Sequence, residues 1–444
     1  MSEISLGNVS TRKAFFKLAL PSVIGMLIVS MQMMIDGFFI ANSVGASGLA
    51  AINLSMPLVN FFMSVTMMIC AGGAVYTSIE LGRNNKEKAN EIFSFTLLIY
   101  LIIIGISGLF TAFFIDKVVL LLGADTNLIP HVKYYLLTLL VFNIFLNFPI
   151  FTETFVRVGG VPNFVFISSI ICITGNIIGD YILVYKLGLG TFGAAIATAS
   201  ANGLASLVLL FRFFKNRCSL SLIKPKGDFE LLKKILYNGS SEMLTVVSSA
   251  VATYIFNLIL MKNIGSLGVS ALTIVFYVNS ILNICLYGLA QALQPLVSFN
   301  LGAKRFDRIM ESLKISLMSG ATLGILFFIT MIFQKELIIN MFSKGDEALE
   351  TLTNEVLRIV IFQYLFSFIN VMASAFLTAL EKPFESVIVS LFRSLIFTVT
   401  FLFLLPKFLG NIGLWLSLPA GEFVCIFISI PLMYYSFKKI KIGA

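Results

Sequence analysis

Of 444 residues, 58% are hydrophobic and only 12% are charged, with a formal net charge of +9. A soluble chain carries about a quarter of its residues as charges, so this composition excludes a water-soluble globular protein and assigns most of the chain to lipid. Five cysteines (Cys70, Cys172, Cys218, Cys285, Cys425) and one histidine, His131 in a predicted loop, argue against a disulfide framework, a metal centre or a catalytic dyad.

In chain order, Arg12, Lys13 and Lys17 lead into an apolar stretch that runs to about Ala41 and contains Asp36. It is too long for a cleavable signal and reads as a retained first helix. A spanning helix needs about 20 mostly apolar residues, and twelve segments meet that rule. They are 15–41, 50–79, 92–115, 132–156, 163–186 and 191–214, then 235–261, 268–300, 310–334, 352–380, 384–407 and 411–437. The fold class expected is an all-α polytopic membrane protein with two pseudo-symmetric six-helix lobes, 1–214 and 235–444, joined by a basic linker at 215–234. Lys and Arg concentrate on the N-terminus, the even-numbered connections and the C-terminus, which predicts cytoplasmic termini. That distribution accounts for the positive charge without nucleic acid.

Two lobes are expected because the chain repeats itself. VGASGLAAI at 44–52 returns as IGSLGVSAL at 264–272, an offset of 220. Leu81-Gly82 falls on Leu301-Gly302 at the same offset, and Gly190 and Gly193 fall on Gly410 and Gly413. Val161-Pro162 falls on Lys382-Pro383 one residue later. Six spans per repeat insert both copies in the same orientation, around an axis along the membrane normal.

Ionisable residues inside spans are expensive and mark function. Asp36 lies mid-helix, and Asp180 lies one turn beyond Asn176 on the same predicted helix face. Their repeat partners, Phe256 and Thr400, do not ionise, which distinguishes the two acids from an architectural lock built into both lobes. Burial favours the neutral form of a carboxyl, so such groups suit proton loading and release. Glu153, Glu242 and Glu422 sit nearer predicted span ends; Arg358 and Arg393 lie inside spans with partners that spacing does not assign. Pro21, fifteen residues before Asp36, marks a possible bend in the first helix.

Over nearly its whole length the sequence resembles the multidrug and toxic compound extrusion (MATE) transporters. The matching stretches are ALPSVIG (19–25), MMIDGFFI (33–40), LGRNNKEKA (81–89), NIIGDYILV (176–184), GTFGAAIAT (190–198), QALQPLVSFNLGAK (291–304) and NIGLWLSLPAGE (411–422). Glu153 and NGSSEML (238–244) resemble the MepA-like branch of Gram-positive bacteria. The resemblance implies a multi-pass transporter of the bacterial cell membrane, not an enzyme, that exports lipophilic organic cations as a monomer. It implies proton-coupled antiport by alternating access, with no cofactor beyond the coupling ion. Carried over by position, the cation site is Asp36, Asn176, Asp180 and Thr198, with the bend at Pro21. Asn202 joins it by helical spacing, and Gln32, Glu153 and Glu242 are candidates for the substrate cavity. Gln32 stands where some relatives carry a tyrosine. Sodium at the Asp36/Asp180 site, or a lipid-linked sugar cargo as in related flippases, are the alternatives.

Overall fold

The computed structural model describes residues 7, 9–124, 128–214, 218–343 and 346–443. Eleven helices among them are long and apolar enough to cross a membrane. A twelfth span is a helix pair, Ile129–Val141 and Asn143–Val158, bent by 51°. The spans are labelled α1 (Thr11–Ser43), α2 (Ala46–Gly82), α3 (Lys86–Phe113), α4 (the bent pair), α5 (Asn163–Lys186) and α6 (Gly190–Phe214). There follow α7 (Phe229–Asn263), α8 (Ser266–Gly302), α9 (Phe306–Ser343), α10 (Glu347–Ala379), α11 (Pro383–Leu409) and α12 (Asn411–Gly443). The chain is an all-α polytopic membrane protein.

Two local departures from expectation have simple causes. His131 is helical and not in a loop, because the helix begins at Ile129, three residues before the hydropathy pattern does, with Pro130 in its first turn. α7 begins at Phe229, inside the expected linker, because the Asp228 carboxylate accepts the Leu231 N–H at 2.8 Å and caps the helix.

The backbone carries the repeat in its turns. Left-handed residues occur at Gly45 and Gly265 (φ 80° and 85°), Asn84 and Lys304 (62° and 55°), and Gly190 and Gly410 (57° and 56°), each pair 220 residues apart. Gly160 and Glu381 (81° and 56°) form a fourth pair at an offset of 221. A positive φ strains residues that have a Cβ. The three non-glycine cases are therefore turns held by the helices around them.

Contacts divide the chain into two compact units, Met1–Gly239 and Ser240–Ala444. In the first, Phe93, Phe151, Phe155 and Phe213 bring α3, α4 and α6 together in a fully buried aromatic cluster. The segment before α7 is bound to this unit: Ser221 N–H donates to Asn90, Ile223 N–H to Ser94, and Lys226 pairs with Glu91 at 3.2 Å. In the second unit, Phe256 and Leu260 of α7 pack with Val356 and Leu357 of α10 and with Trp415 of α12.

Candidate functional site

The first unit holds a carboxyl pair built by three closely packed helices. α5 carries Gly175 and Gly179 four residues apart, and α6 faces them with Ala197 and Ala201. A Cβ on Gly179 would lie 2.8 Å from that of Ala197, so the two backbones approach as close as small residues allow. That approach brings the neighbouring polar positions together, Asn176 and Asp180 on α5 and Thr198 on α6. At Asp180 the helix widens into a π-helical segment, Asp180–Lys186, which re-aims the side chains that follow. α1 supplies Asp36 from a helix that runs unbroken through Pro21.

Asn176 Nδ2 donates to Thr198 Oγ1 at 3.2 Å, and the Thr198 hydroxyl donates to Asp36 Oδ2 at 3.3 Å. Asp36 and Asp180 lie side by side and interact through their carboxyl groups. Asn176 and Asp180 are wholly buried. Four buried acceptors here have no donor: Asp36 Oδ1, Asn176 Oδ1 and both carboxyl oxygens of Asp180. Leaving a buried polar atom unpaired costs about 1–3 kcal/mol. Two adjacent carboxylates in low dielectric also repel one another. A proton or a small hard cation relieves both penalties, and oxygen is the ligand such cations take.

Of the residues expected at the cation site, Asp36, Asn176, Asp180 and Thr198 come together. Asn202 lies one turn further along α6, bonded to the Leu146 carbonyl (2.9 Å) and to the Cys172 thiol (2.7 Å). Gln32 is buried on α1 beside that same thiol, at 3.3 Å. Glu153 has Arg157 4.0 Å away on its own helix. Two residues of the site were not read from the sequence. Tyr135 of α4 lies within electrostatic reach of both carboxyls, and Cys172 bridges α1 and α6.

In the second unit Glu242, Glu422 and Arg393 each have a partner. Gln294 Nε2 donates to Glu242 at 2.6 Å. Arg393 Nε donates to Glu422 Oε1 at 2.9 Å, and Asn370 Nδ2 donates to Glu422 Oε2 at 2.6 Å. Ser429 completes that network by donating to Asn370 Oδ1 at 2.7 Å. Arg358 sits in the last turn of the first helical stretch of α10. Among the described residues, buried carboxyl oxygens lacking a hydrogen bond occur only on Asp36 and Asp180. No group of three or more His, Cys, Asp or Glu side chains among those residues could hold a metal ion.

The chain as a whole is similar to known proteins. Multidrug export protein MepA of Staphylococcus haemolyticus (strain JCSC1435) is 24% identical over 424 residues, 95% of this chain and 93% of that protein. MepA of Staphylococcus aureus (strain N315) is 24% identical over 427 residues, with the same coverage. The solved outward-facing structure of a multidrug resistance MATE family transporter of the MOP superfamily superposes with a TM-score of 0.93. It shares 20% identity and 99% coverage of both chains. The MatE family profile matches twice, at residues 21–182 and 242–404, one copy to each repeat. The chain is thus a membrane transporter and not an enzyme, and it belongs to the MatE family.

Proposed function

We propose that this transporter exports lipophilic organic cations from a bacterial cell in exchange for protons, by alternating access, with both termini in the cytoplasm. The observation that carries the reading is the set of four unpaired buried acceptors around Asp36 and Asp180. In the outward-facing state the pair takes up protons and the cationic substrate leaves. In the inward-facing state deprotonation restores negative charge that attracts the next cation. Coupling requires that proton affinity differ between the two states. Pro21, which deletes a backbone hydrogen bond in α1 four turns from Asp36, gives that helix a place to bend.

The test is ethidium efflux from de-energised, reloaded cells under an imposed proton or sodium gradient, with wild type and Asp36→Asn. Efflux driven by the proton gradient in wild type and lost in the mutant, at equal amounts of folded protein, is the expected result. Retained proton-driven efflux in Asp36→Asn would sink the mechanism. The all-oxygen character of the unpaired acceptors favours one second reading, sodium as the coupling ion at the same site. Efflux that follows the sodium gradient selects it.

A further inference from the structure

The carboxyl site is one of two polar layers, a helical turn apart. α1 contributes Asp36 to the first and Gln32 to the second, α5 contributes Asn176 and Cys172, and α6 contributes Thr198 and Asn202. Each step is four residues, so each pair shares a helix face. Cys172 is at the centre of the second layer, 5% exposed, with its sulfur 2.7 Å from Asn202 Oδ1 and 3.3 Å from Gln32 Oε1. A thiol has one hydrogen to donate. Asn202 Nδ2 is committed to the Leu146 carbonyl of α4, which turns Oδ1 toward the thiol. The proton therefore goes to Asn202, and the Gln32 contact is the one easily made and broken. Through Cys172 the layer ties α1, α5, α6 and α4 directly under the carboxyl pair.

The repeat supplies an independent observation. Cys172 and Arg393 are 221 residues apart, and Asn202 and Glu422 are 220 apart, the offsets of the turns that precede them. The two positions are bonded to each other in both units. In the second unit the bond is an ion pair with its remaining carboxylate oxygen taken by Asn370. In the first it joins a thiol and an amide. Charged hydrogen bonds are about twice as strong as neutral ones, and a thiol is a weak donor.

We infer that Cys172 is a positioning residue for the coupling site, the weak form of an interhelical tie that the second unit makes ionic. It holds Asn202 and Gln32 in register beneath Asp36 and Asp180 and lets Gln32 go when α1 moves. The inference rests on the ion-coupled reading of that site. The titratable groups near the thiol are Asp36 from α1 and Glu153 from α4, with Asp180 two turns along α5 itself. From α6 it faces Asn202, which does not titrate.

The experiment reconstitutes the full chain in liposomes and measures proton-driven ethidium transport against pH. Variants are Cys172→Ser, Cys172→Val and Cys172→Ala, each checked for its thermal unfolding midpoint. Serine keeps a donor in a smaller volume, whereas valine keeps the volume without a donor. The tie predicts that Cys172→Ser holds the wild-type pH midpoint. Cys172→Val, equally stable, should move it by about half a unit or more, roughly threefold in apparent proton affinity. A packing role predicts the reverse order, with valine like wild type and serine and alanine impaired, and overturns the inference. A wild-type protein driven by sodium moves the same comparison to the sodium midpoint. If neither ion drives transport, the coupling reading fails by itself, and equilibrium ethidium affinity then tests the tie. Several-fold weakening in the valine variant alone supports it, and equal affinity in all variants overturns it.

Discussion

Thr198 uses its hydroxyl in both directions, accepting from Asn176 and donating to Asp36, so a single atom relays between three helices. Thr198→Val has nearly the same shape but leaves the Asn176 amide hydrogen unpaired and takes a donor from the Asp36 carboxylate. Each loss is worth about 1–3 kcal/mol. Losing a donor to the charged form disfavours that form, so the proton should be held more tightly and the pH profile of transport should move to higher pH. Titrating transport between pH 5 and 9 checks the sign; an unchanged profile would mean that the hydroxyl does not reach the carboxylate during the cycle. Asp36 and Asp180 were legible in the sequence as acids inside apolar spans, and Asn176 by its helical spacing from Asp180. Thr198 came only from the resemblance, since a threonine in an apolar span is not marked by its own neighbours. Tyr135 was not legible, since nothing in its own span marks it and its approach to the acids belongs to the packing of α4. Cys172 was hidden because a cysteine in an apolar run looks like core, and Asn202, placed by spacing alone, proves to be a full turn away from the pair.

At the scale of elements, the site depends on how closely α5 can approach α6. Valine at Gly179 would put its Cβ 2.8 Å from the Cβ of Ala197 and 3.1 Å from its Cα, and neither atom can swing aside. Overpacking of this kind costs about 1–3 kcal/mol, and pushing the helices apart separates Thr198 from Asn176. Gly179→Val should therefore lower the thermal midpoint and lose driven transport together. Gly37→Ala is the control. It adjoins Asp36, but its added methyl meets nothing within 4 Å, so helix propensity alone should stabilise α1 by about 0.5–1 kcal/mol. A Gly179→Val protein that transports normally would show that the tight approach is incidental. The helices themselves were readable from hydropathy, yet the 51° break in α4 and the π-helical turn at Asp180 were not. Both are local responses to packing across helices, and a single-helix hydropathy pattern contains no term for them.

For the whole molecule, the repeat was visible as a 220-residue echo of glycines, and at two of the echoed pairs, Gly45/Gly265 and Gly190/Gly410, the structure shows why glycine was the signal: they are turns with positive φ. What the echo conceals is that the two units place their buried acids at different positions of the repeat and treat them in opposite ways. The first leaves carboxyl oxygens unpaired, and the second surrounds Glu422 with Arg393 and Asn370 until both its oxygens are bonded. With both oxygens of Glu422 bonded inside the protein, the second unit should contribute stability and not coupling. Both side chains of the pair are nearly nine-tenths buried. Arg393→Met strands the glutamate and should cost about 3–5 kcal/mol, whereas Arg393→Met with Glu422→Met removes both charges and should recover most of that loss. The folded double variant should keep the wild-type pH profile, while Asp36→Asn should keep wild-type stability and lose the profile. Thermal unfolding and transport measured on the same four proteins test this crossed pattern. A double variant that unfolds normally but shifts the pH profile would place part of the coupling in the second unit, and the division of labour argued from its closed hydrogen-bond network would be wrong.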